Sequence, residues 1–232
     1  MKYTNQTILN ASFIKRFSHS KRFKIALGLC KIEDGSTILD FGTGDGYLLT
    51  NLAEVYPDVQ FTGFEPILKQ YSIALESTAR YPNIRILNQE NELKRSAYKV
   101  IYCLELLEHL NDADQKNILN MFNELLTEDG ILVVSVPLET GISGFIKNIA
   151  RILIRQHHTS RINDLIKILF GIKIKRDYND GYYLTHVGFR HKDLEKIIRA
   201  FFTIDRIQYS PFPLLKGFLN SQKYYILSNL KQ

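Results

Sequence analysis

Two spacings of hydrophobic and polar residues alternate along the chain between residues 37 and 136. Short apolar runs, such as 100–103 (VIYC) and 131–134 (ILVV), have the length and β-branched content of strands buried on both faces. Between these runs, apolar residues recur every three or four positions, which predicts amphipathic helices. The predicted strands are 37–41, 59–64, 84–88, 99–103 and 131–136; the predicted helices are 45–55, 67–80 and 113–127, with a short irregular helix near 90–96 and a turn at 128–130.

An alternation of strands and helices predicts βαβ units, and therefore a parallel sheet with helices on both faces. The alternation stops after residue 137, and 142–182 forms an insertion after the fifth strand in our interpretation. The α/β pattern then returns with a helix at 191–200 and strands at 202–209 and near 223–228. A further helix is predicted at 7–31, where apolar residues alternate with basic ones.

The net charge of +6 is distributed unevenly along the chain. Residues 1–37 carry 7 basic and 2 acidic groups, residues 38–139 carry 7 and 16, and residues 140–232 carry 16 and 6. An acidic centre between basic flanks suggests that the flanks meet an anionic partner, which can be lipid, phosphate or nucleic acid. Only two cysteines and no secretory signal pattern are present, so we expect a cytoplasmic protein without a disulfide framework.

The segment ILDFGTGDGYLL, residues 38–49, carries the clearest chemical signal. Its three glycines stand at alternate positions directly after a predicted strand: Gly42, Gly44 and Gly46. Such a turn lets the backbone approach a dinucleotide, a phosphate or S-adenosylmethionine. Tyr47 replaces the last glycine of G-x-G-x-x-G, and the absence of a following Lys-Ser/Thr pair excludes a P-loop. Asp40, two residues before the first glycine, suits a cationic amine better than a pyrophosphate.

An acid followed by G-x-G-x-G resembles the cofactor motif of class I S-adenosylmethionine-dependent methyltransferases. The resemblance covers about 38–136, with a looser match at 186–209. It implies a Rossmann-like α/β fold, with helices on both faces of a seven-stranded, mostly parallel sheet whose last strand is antiparallel. One domain, 1–232, would then carry an N-terminal helical cap at 1–34 and a basic amphipathic insertion or lid at 142–182.

The resemblance also implies which residues contact S-adenosylmethionine. Glu65 in FTGFEP would hold the ribose, since a carboxylate can accept from two adjacent hydroxyls. The adenine position falls at Gln89 or Glu90, and the loop CLELLEHL would face methionine and the acceptor. The implied cofactor residues are Asp40, Gly42, Thr43, Gly44, Gly46, Glu65, Pro66, Gln89, Glu90, Leu104 and Glu105.

Glu105, Glu108 and His109 have the i, i+3, i+4 spacing of one helical face. Such a set can bind a divalent cation such as Mg²⁺, or supply a general base and its orienting partner. The segment is similar to that of ubiquinone-biosynthesis O-methyltransferases and small-RNA 2′-O-methyltransferases, where these residues bind metal together with a later histidine. YLTHVGFRHKDLEKII resembles the ubiquinone group and puts His186 in that place. Three interpretations stay open. The first is a metal site of Glu105, Glu108, His109 and His186, and the second is a metal-free pocket with His109, or secondly His186, as catalytic base. In the third, these residues have purely structural roles.

We therefore expect a methyltransferase that acts on an oxygen of a small or lipid-linked acceptor. The basic segment 142–176 is either a lid or a peripheral membrane contact, and nucleic acid is a less favoured partner because no RNA-binding module is visible. The alternatives are an RNA methyltransferase that uses the basic flanks and a catalytically silent regulator that binds the cofactor. His157 and His158 are expected to be solvated.

Overall fold

The computed structural model describes residues 25, 28–153, 162–179, 181–215 and 218–230, with only the backbone given for 150–153 and 162–163. Most of the predicted helix at 7–31, most of the cap at 1–34, and His157 and His158 lie outside the described residues, although Ile25 is described as helical. Residues 28–36 consist of turns and coil, so the described end of the cap is not helical. Leu29 and Ile32 are nevertheless buried there, in the apolar cluster that also contains Ile38.

Seven strands form one sheet, and a separate two-stranded ribbon accompanies it. The strands are β1 Thr37–Phe41, β2 Gln60–Phe64, β3 Ile84–Leu87, β4 Tyr98–Leu104, β5 Leu126–Pro137, β6 Tyr178–Asn179, β7 Tyr182–Tyr183, β8 Phe202–Ser210 and β9 Gln222–Asn229. The order in the sheet is β3-β2-β1-β4-β5-β9-β8, and β6 pairs with β7. The pairs among β1 to β5 are parallel, whereas β9 is antiparallel to both β5 and β8. The predicted mostly parallel sheet with an antiparallel last strand is confirmed.

Six helices connect or follow these strands in the described ranges. They are α1 Tyr47–Val55, α2 Leu68–Thr78, α3 Asp112–Leu125, α4 Gly141–Leu153, α5 Ile162–Leu169 and α6 His191–Ile198. Short 3₁₀ turns lie at Glu90–Glu92, Leu107–His109 and Pro213–Leu215. None of the helices within the described ranges is long and apolar enough to cross a bilayer.

The predicted start of the fifth strand is wrong, and the helix predicted near 90–96 is only the 3₁₀ turn Glu90–Glu92. The sequence predicts a helix to residue 127 and a turn at 128–130, but α3 ends at Leu125 and β5 begins at Leu126. The reason is tertiary, because Leu126 pairs with Tyr98 of β4 before the register shifts between Tyr98 and Val100. This early pairing draws residues 126–130 into the strand.

Strand residues alternate between two apolar layers, one on each face of the sheet. Ile38 and Val100 belong to the layer with α1, whereas Leu39 and Ile101 belong to the layer with α3 and α6. All four side chains are almost fully buried, as expected for a parallel sheet covered on both faces. The carboxyl ends of the strands consequently meet at a single edge, where open α/β sheets bind ligands.

Candidate active site

A cavity of about 550 Å³ lies at the carboxyl edge of the sheet. Nine of the predicted cofactor residues line it: Asp40, Gly42, Thr43, Gly44, Glu65, Pro66, Glu90, Leu104 and Glu105. Gln89 and Gly46 are not among the lining residues. Of the two adenine candidates, only Glu90 therefore reaches the cavity. His109 and His186 line the same cavity, so the structure brings the cofactor residues and the candidate bases together.

The three glycines of the turn after β1 have positive φ angles but different surroundings. Gly42, Gly44 and Gly46 have φ values of 82°, 60° and 75°, a region that favours glycine. A Cβ on Gly44 would meet no atom within 4 Å, whereas a Cβ on Gly46 would lie 2.8 Å from Thr78 Cγ2. Gly44 thus leaves open space for a ligand. Gly46 instead permits close packing of the turn on α2, which explains why it does not line the cavity.

Glu65, the residue after β2, holds the glycine turn by hydrogen bonds. Its Oε2 atom accepts a hydrogen bond from the Gly44 N–H and its Oε1 atom one from the Ile67 N–H, both at 3.0 Å. Burial raises the pKa of Glu65, and these two N–H donors oppose the rise. Each carboxylate oxygen keeps a second lone pair. Glu65 can therefore accept from two neighbouring hydroxyls while it still holds the turn.

Asp40 ends up almost fully buried beside the turn. The Thr43 hydroxyl donates to its Oδ2 atom at 2.7 Å. Burial raises the pKa of Asp40 to about 7, and the neighbouring carboxylates of Glu65 and Asp45 add to the rise. A bound cation would favour the ionised carboxylate. The residues present thus fit S-adenosylmethionine, with open space at Gly44, a diol acceptor at Glu65 and an anionic group for its positive charge.

The loop after β4 does not form the helical face that the sequence predicts. Glu105 has a left-handed φ of 55°, and its N–H donates to the Ser135 carbonyl at 3.0 Å. Helical backbone begins only at the 3₁₀ turn Leu107–His109. Glu105 therefore lies outside the turn that holds Glu108 and His109. A left-handed non-glycine residue is uncommon and is found often at functional sites.

Three of the four predicted metal ligands do come together. Single ligand atoms of Glu108, His109 and His186 lie within 4.8 Å of one another, and Glu105 is not part of that group. The remaining donors, two imidazoles and one carboxylate, differ from the oxygen shell that Mg²⁺ prefers and suit zinc or iron better. The donor set therefore does not fit the predicted Mg²⁺.

The buried Glu108 pairs with His186, which lines the cavity. His186 Nδ1 lies 3.4 Å from Glu108 Oε1, and neither atom has a well-aligned hydrogen-bond partner among the described residues. Burial raises the pKa of Glu108, which is fully buried. Burial alone would lower the pKa of His186, but the Glu108 carboxylate outweighs this effect and raises it. The pair thus favours a protonated His186.

His109 has the opposite electrostatic character. Its Nδ1 atom lies 2.7 Å from the Tyr183 carbonyl oxygen, which can only accept, so Nδ1 carries the proton and Nε2 keeps its lone pair. Burial lowers the pKa of His109, and this keeps the ring neutral. The ring stacks on Tyr182, with centroids 4.6 Å apart and planes 2° from parallel. His109 is therefore an oriented, neutral imidazole with a lone pair available for a proton.

Sequence reasoning missed two residues of this site. Tyr182 lines the cavity beside His109. Arg176, counted in the sequence among the cations of the insertion, donates to the carbonyls of Glu108 and Thr185 at 2.7 and 2.8 Å, and its guanidinium lies 4.0 Å from the Tyr183 ring centre. Arg176 thus ties the insertion to the 3₁₀ turn that carries His109. The aromatic YNDGYY segment is the only sequence signal for this part of the site.

A sheet of this order, with a glycine turn after β1 and an acid after β2, defines the class I S-adenosylmethionine-dependent methyltransferase fold. A family model described as "Methyltransferase domain" matches residues 11–201, and the chain belongs to this family. Both the predicted superfamily and the predicted fold are confirmed. A comparison with curated proteins found no significant match.

Solved structures agree on the fold at low sequence identity. A Pyrococcus horikoshii OT3 protein has a TM-score of 0.64 at 13% identity, covering 98% of this chain and 96% of its own. The mycolic acid cyclopropane synthase CmaA1, complexed with SAH and CTAB, has a TM-score of 0.62 at 16% identity, covering 92% and 85%. A putative S-adenosylmethionine-dependent methyltransferase from Listeria monocytogenes has a TM-score of 0.59 at 13% identity, covering 92% and 100%.

Proposed function

We propose that the protein transfers the methyl group of S-adenosylmethionine to an oxygen atom of a small or lipid-linked acceptor. The observation that carries the proposal is the composition of the cavity. Gly44 and Glu65 border open space in it, and His109 and His186 line it together with Tyr182. A cofactor and an acceptor can thus share one cavity, with a candidate base next to the acceptor.

The residues at the ends of β1 and β2 would bind the cofactor. The Glu65 carboxylate would accept from the ribose hydroxyls, and Asp40 and Glu105 would offset the positive charge. When bound, S-adenosylmethionine supplies an electrophilic methyl group on a sulfonium. In-line placement of the acceptor then accounts for most of the acceleration, because proximity and orientation replace a bimolecular encounter.

His109 is the first candidate for the base. Its neutral ring and the Nδ1 bond to Tyr183 leave Nε2 ready to take the proton of an acceptor hydroxyl. The bound cofactor would supply the methyl group for that oxygen, and His109 would hold the proton that the hydroxyl loses. His186 is the second candidate, with Glu108 as its orienting partner.

Three alternatives remain testable against this proposal. A metal held by Glu108, His109 and His186 would replace the base mechanism, and their proximity supports it. An RNA acceptor would use the basic flanks. A silent regulator would need the acceptor end of the cavity to be closed, but Tyr47 and Tyr182 line the cavity in the described part of the chain without filling it.

The test supplies labelled S-adenosylmethionine to a cell extract separated into lipid, small-molecule and RNA fractions. We expect label in the lipid or small-molecule fraction, on oxygen by mass spectrometry. His109→Gln should abolish transfer and leave cofactor affinity within about twofold. Label confined to RNA, or no transfer in any fraction despite cofactor binding, would contradict the proposal.

A further inference from the structure

The loop between β8 and β9 displays apolar side chains to solvent. Leu214 is 96% exposed, and four further large apolar residues of the loop are also exposed: Phe212, Leu215, Phe218 and Leu219. The base of the loop is nevertheless well ordered. The buried Asn220 side chain accepts from the Phe212 N–H at 2.7 Å and donates to the Phe212 carbonyl at 2.8 Å. These two bonds hold the loop in a shape that presents its apolar side chains outward.

The two helices of the insertion carry a similar surface. On α4, Ile142 and Ile146 are exposed four residues apart, and Ile166 of α5 and Phe170, which directly follows α5, repeat this spacing. Residues at i and i+4 lie on one helix face, so each helix turns an apolar stripe to solvent. Phe170 is 74% exposed. Ile172, just beyond α5, is exposed as well.

Loop and helices lie at the carboxyl edge of the sheet, where the cavity is. The Lys147 ammonium of α4 donates to the Leu138 carbonyl at 2.8 Å, just after β5, and to the Ser221 carbonyl at 3.0 Å, just before β9. This cation therefore joins α4 to the base of the apolar loop. We call the exposed apolar residues of this edge the edge surface: Ile142, Ile146, Ile166, Phe170, Ile172, Phe212, Leu214, Leu215, Phe218 and Leu219.

Charge decides which partner fits the edge surface. The sequence 142–176 holds eight basic residues and one acidic residue. Lys147 and Arg176 are hydrogen-bonded within the protein, whereas Lys173 and Lys175 are exposed beside Ile172. Each basic side chain near an anionic bilayer contributes about 1 kcal/mol of attraction, and apolar side chains gain by entering the lipid boundary. Nucleic acid would use the cations but leave the apolar side chains in water. A second copy of this chain would oppose like charges.

We propose that the edge surface docks on an anionic lipid bilayer, with Leu214 and its neighbours entering the headgroup region and the exposed Lys173 and Lys175 facing the lipid charges. The inference deepens the proposed function, because it rests on a lipid-linked acceptor that reaches the cavity from the same edge. Docking would hold the cavity beside the membrane.

Vesicle flotation of the full chain tests the proposal. We expect binding to vesicles of equal parts phosphatidylcholine and phosphatidylglycerol, and little binding to phosphatidylcholine alone. Leu214→Ser combined with Phe218→Ser should weaken partitioning at least about tenfold, because two apolar insertions are lost. Lys173→Gln combined with Lys175→Gln should weaken it by roughly fivefold for each charge.

Matched controls make the same kinds of substitution at exposed positions outside the edge surface. Val55→Ser removes a side chain that is 62% exposed at the end of α1, and Lys94→Gln with Lys116→Gln removes two exposed lysines elsewhere. These variants should float like the unchanged protein. Equal floating on neutral and anionic vesicles, or equal losses in the controls and the edge variants, would overturn the proposal. So would edge variants that change only oligomeric state or only RNA affinity.

Cofactor affinity separates this inference from the proposed function. The edge variants should bind S-adenosylmethionine as the unchanged protein does, since none of their residues lines the cavity. Vesicle binding without cofactor binding would refute the proposed function and support the docking proposal. Cofactor binding and transfer to a soluble acceptor without vesicle binding would refute the docking proposal and support the proposed function.

Discussion

Replacing Gly44 by alanine separates a ligand-facing glycine from glycines that serve only the backbone. Gly44 and Gly35 both have positive φ, 60° and 75°, and a Cβ at either would meet no atom within 4 Å. Gly35 lies in the exposed turn before β1, away from the cavity. A left-handed alanine costs roughly 1–2 kcal/mol, which in a protein of this size lowers Tm by about 2–8 °C. We expect this loss in both variants.

Only Gly44→Ala should also weaken the binding of S-adenosylmethionine. Its methyl group would stand in the ligand's space, and such overpacking costs about 1–3 kcal/mol, or roughly 5- to 150-fold in Kd. Gly46→Ala forms a third case, because its Cβ would lie 2.8 Å from Thr78 Cγ2. This variant should therefore lower Tm more than Gly35→Ala does. Calorimetric titration and thermal unfolding measure the two effects. An unchanged Kd for Gly44→Ala, or an equal loss for Gly35→Ala, would refute the placement of the cofactor.

Three further predictions concern the histidines: the pH dependence of turnover, the effect of a chelator and the pH dependence of stability. A base must be neutral, so kcat should fall on acidification through a pKa below the ordinary 6.5 if His109 accepts the proton, and through one above 6.5 if His186 does; a pH profile distinguishes them. A chelator should leave turnover unchanged if His109 works without metal, and a loss that added metal restores would instead support the metal site. Burial and Lys223 lower the pKa of His191 from 6.5 to about 4, so on acidification the unfolded chain binds a proton at a higher pH than the folded chain does. Stability should therefore drop by up to about 3 kcal/mol as pH falls from 6.5 to 4, and His191→Gln should flatten this drop in denaturant titrations.

Local patterns in the sequence were sufficient to predict the strands of the parallel part of the sheet, whereas the antiparallel last strand was implied only by the family resemblance. Strands buried on both faces are visible as continuous apolar runs, and the glycine turn marks where β1 ends. The start of β5 could not be predicted, because residues 126–130 become a strand only through the pairing of Leu126 with Tyr98. Pairing of this kind depends on contacts between residues far apart in sequence, which a local pattern does not contain.

The site shows the same limit more strongly. Spacing identifies three glycines, but only the position of α2 shows that Gly46 packs on Thr78 while Gly44 borders open space. Arg176 is one of several cations in the sequence, and only its contacts with two carbonyls and a tyrosine ring distinguish it. Tyr182 lies in a strand of two residues, which is too short for any periodicity to be visible.

The two hydrogen bonds that Glu65 accepts have a consequence for the rate and the entropy of ligand binding. Because the N–H groups of Gly44 and Ile67 already donate to this carboxylate, the turn of the proposed cofactor site is held in place without a ligand. Association then requires little ordering of the chain, and a preorganised site of this kind loses less conformational entropy on binding. Fast, single-step association with a small backbone rearrangement is the expected behaviour.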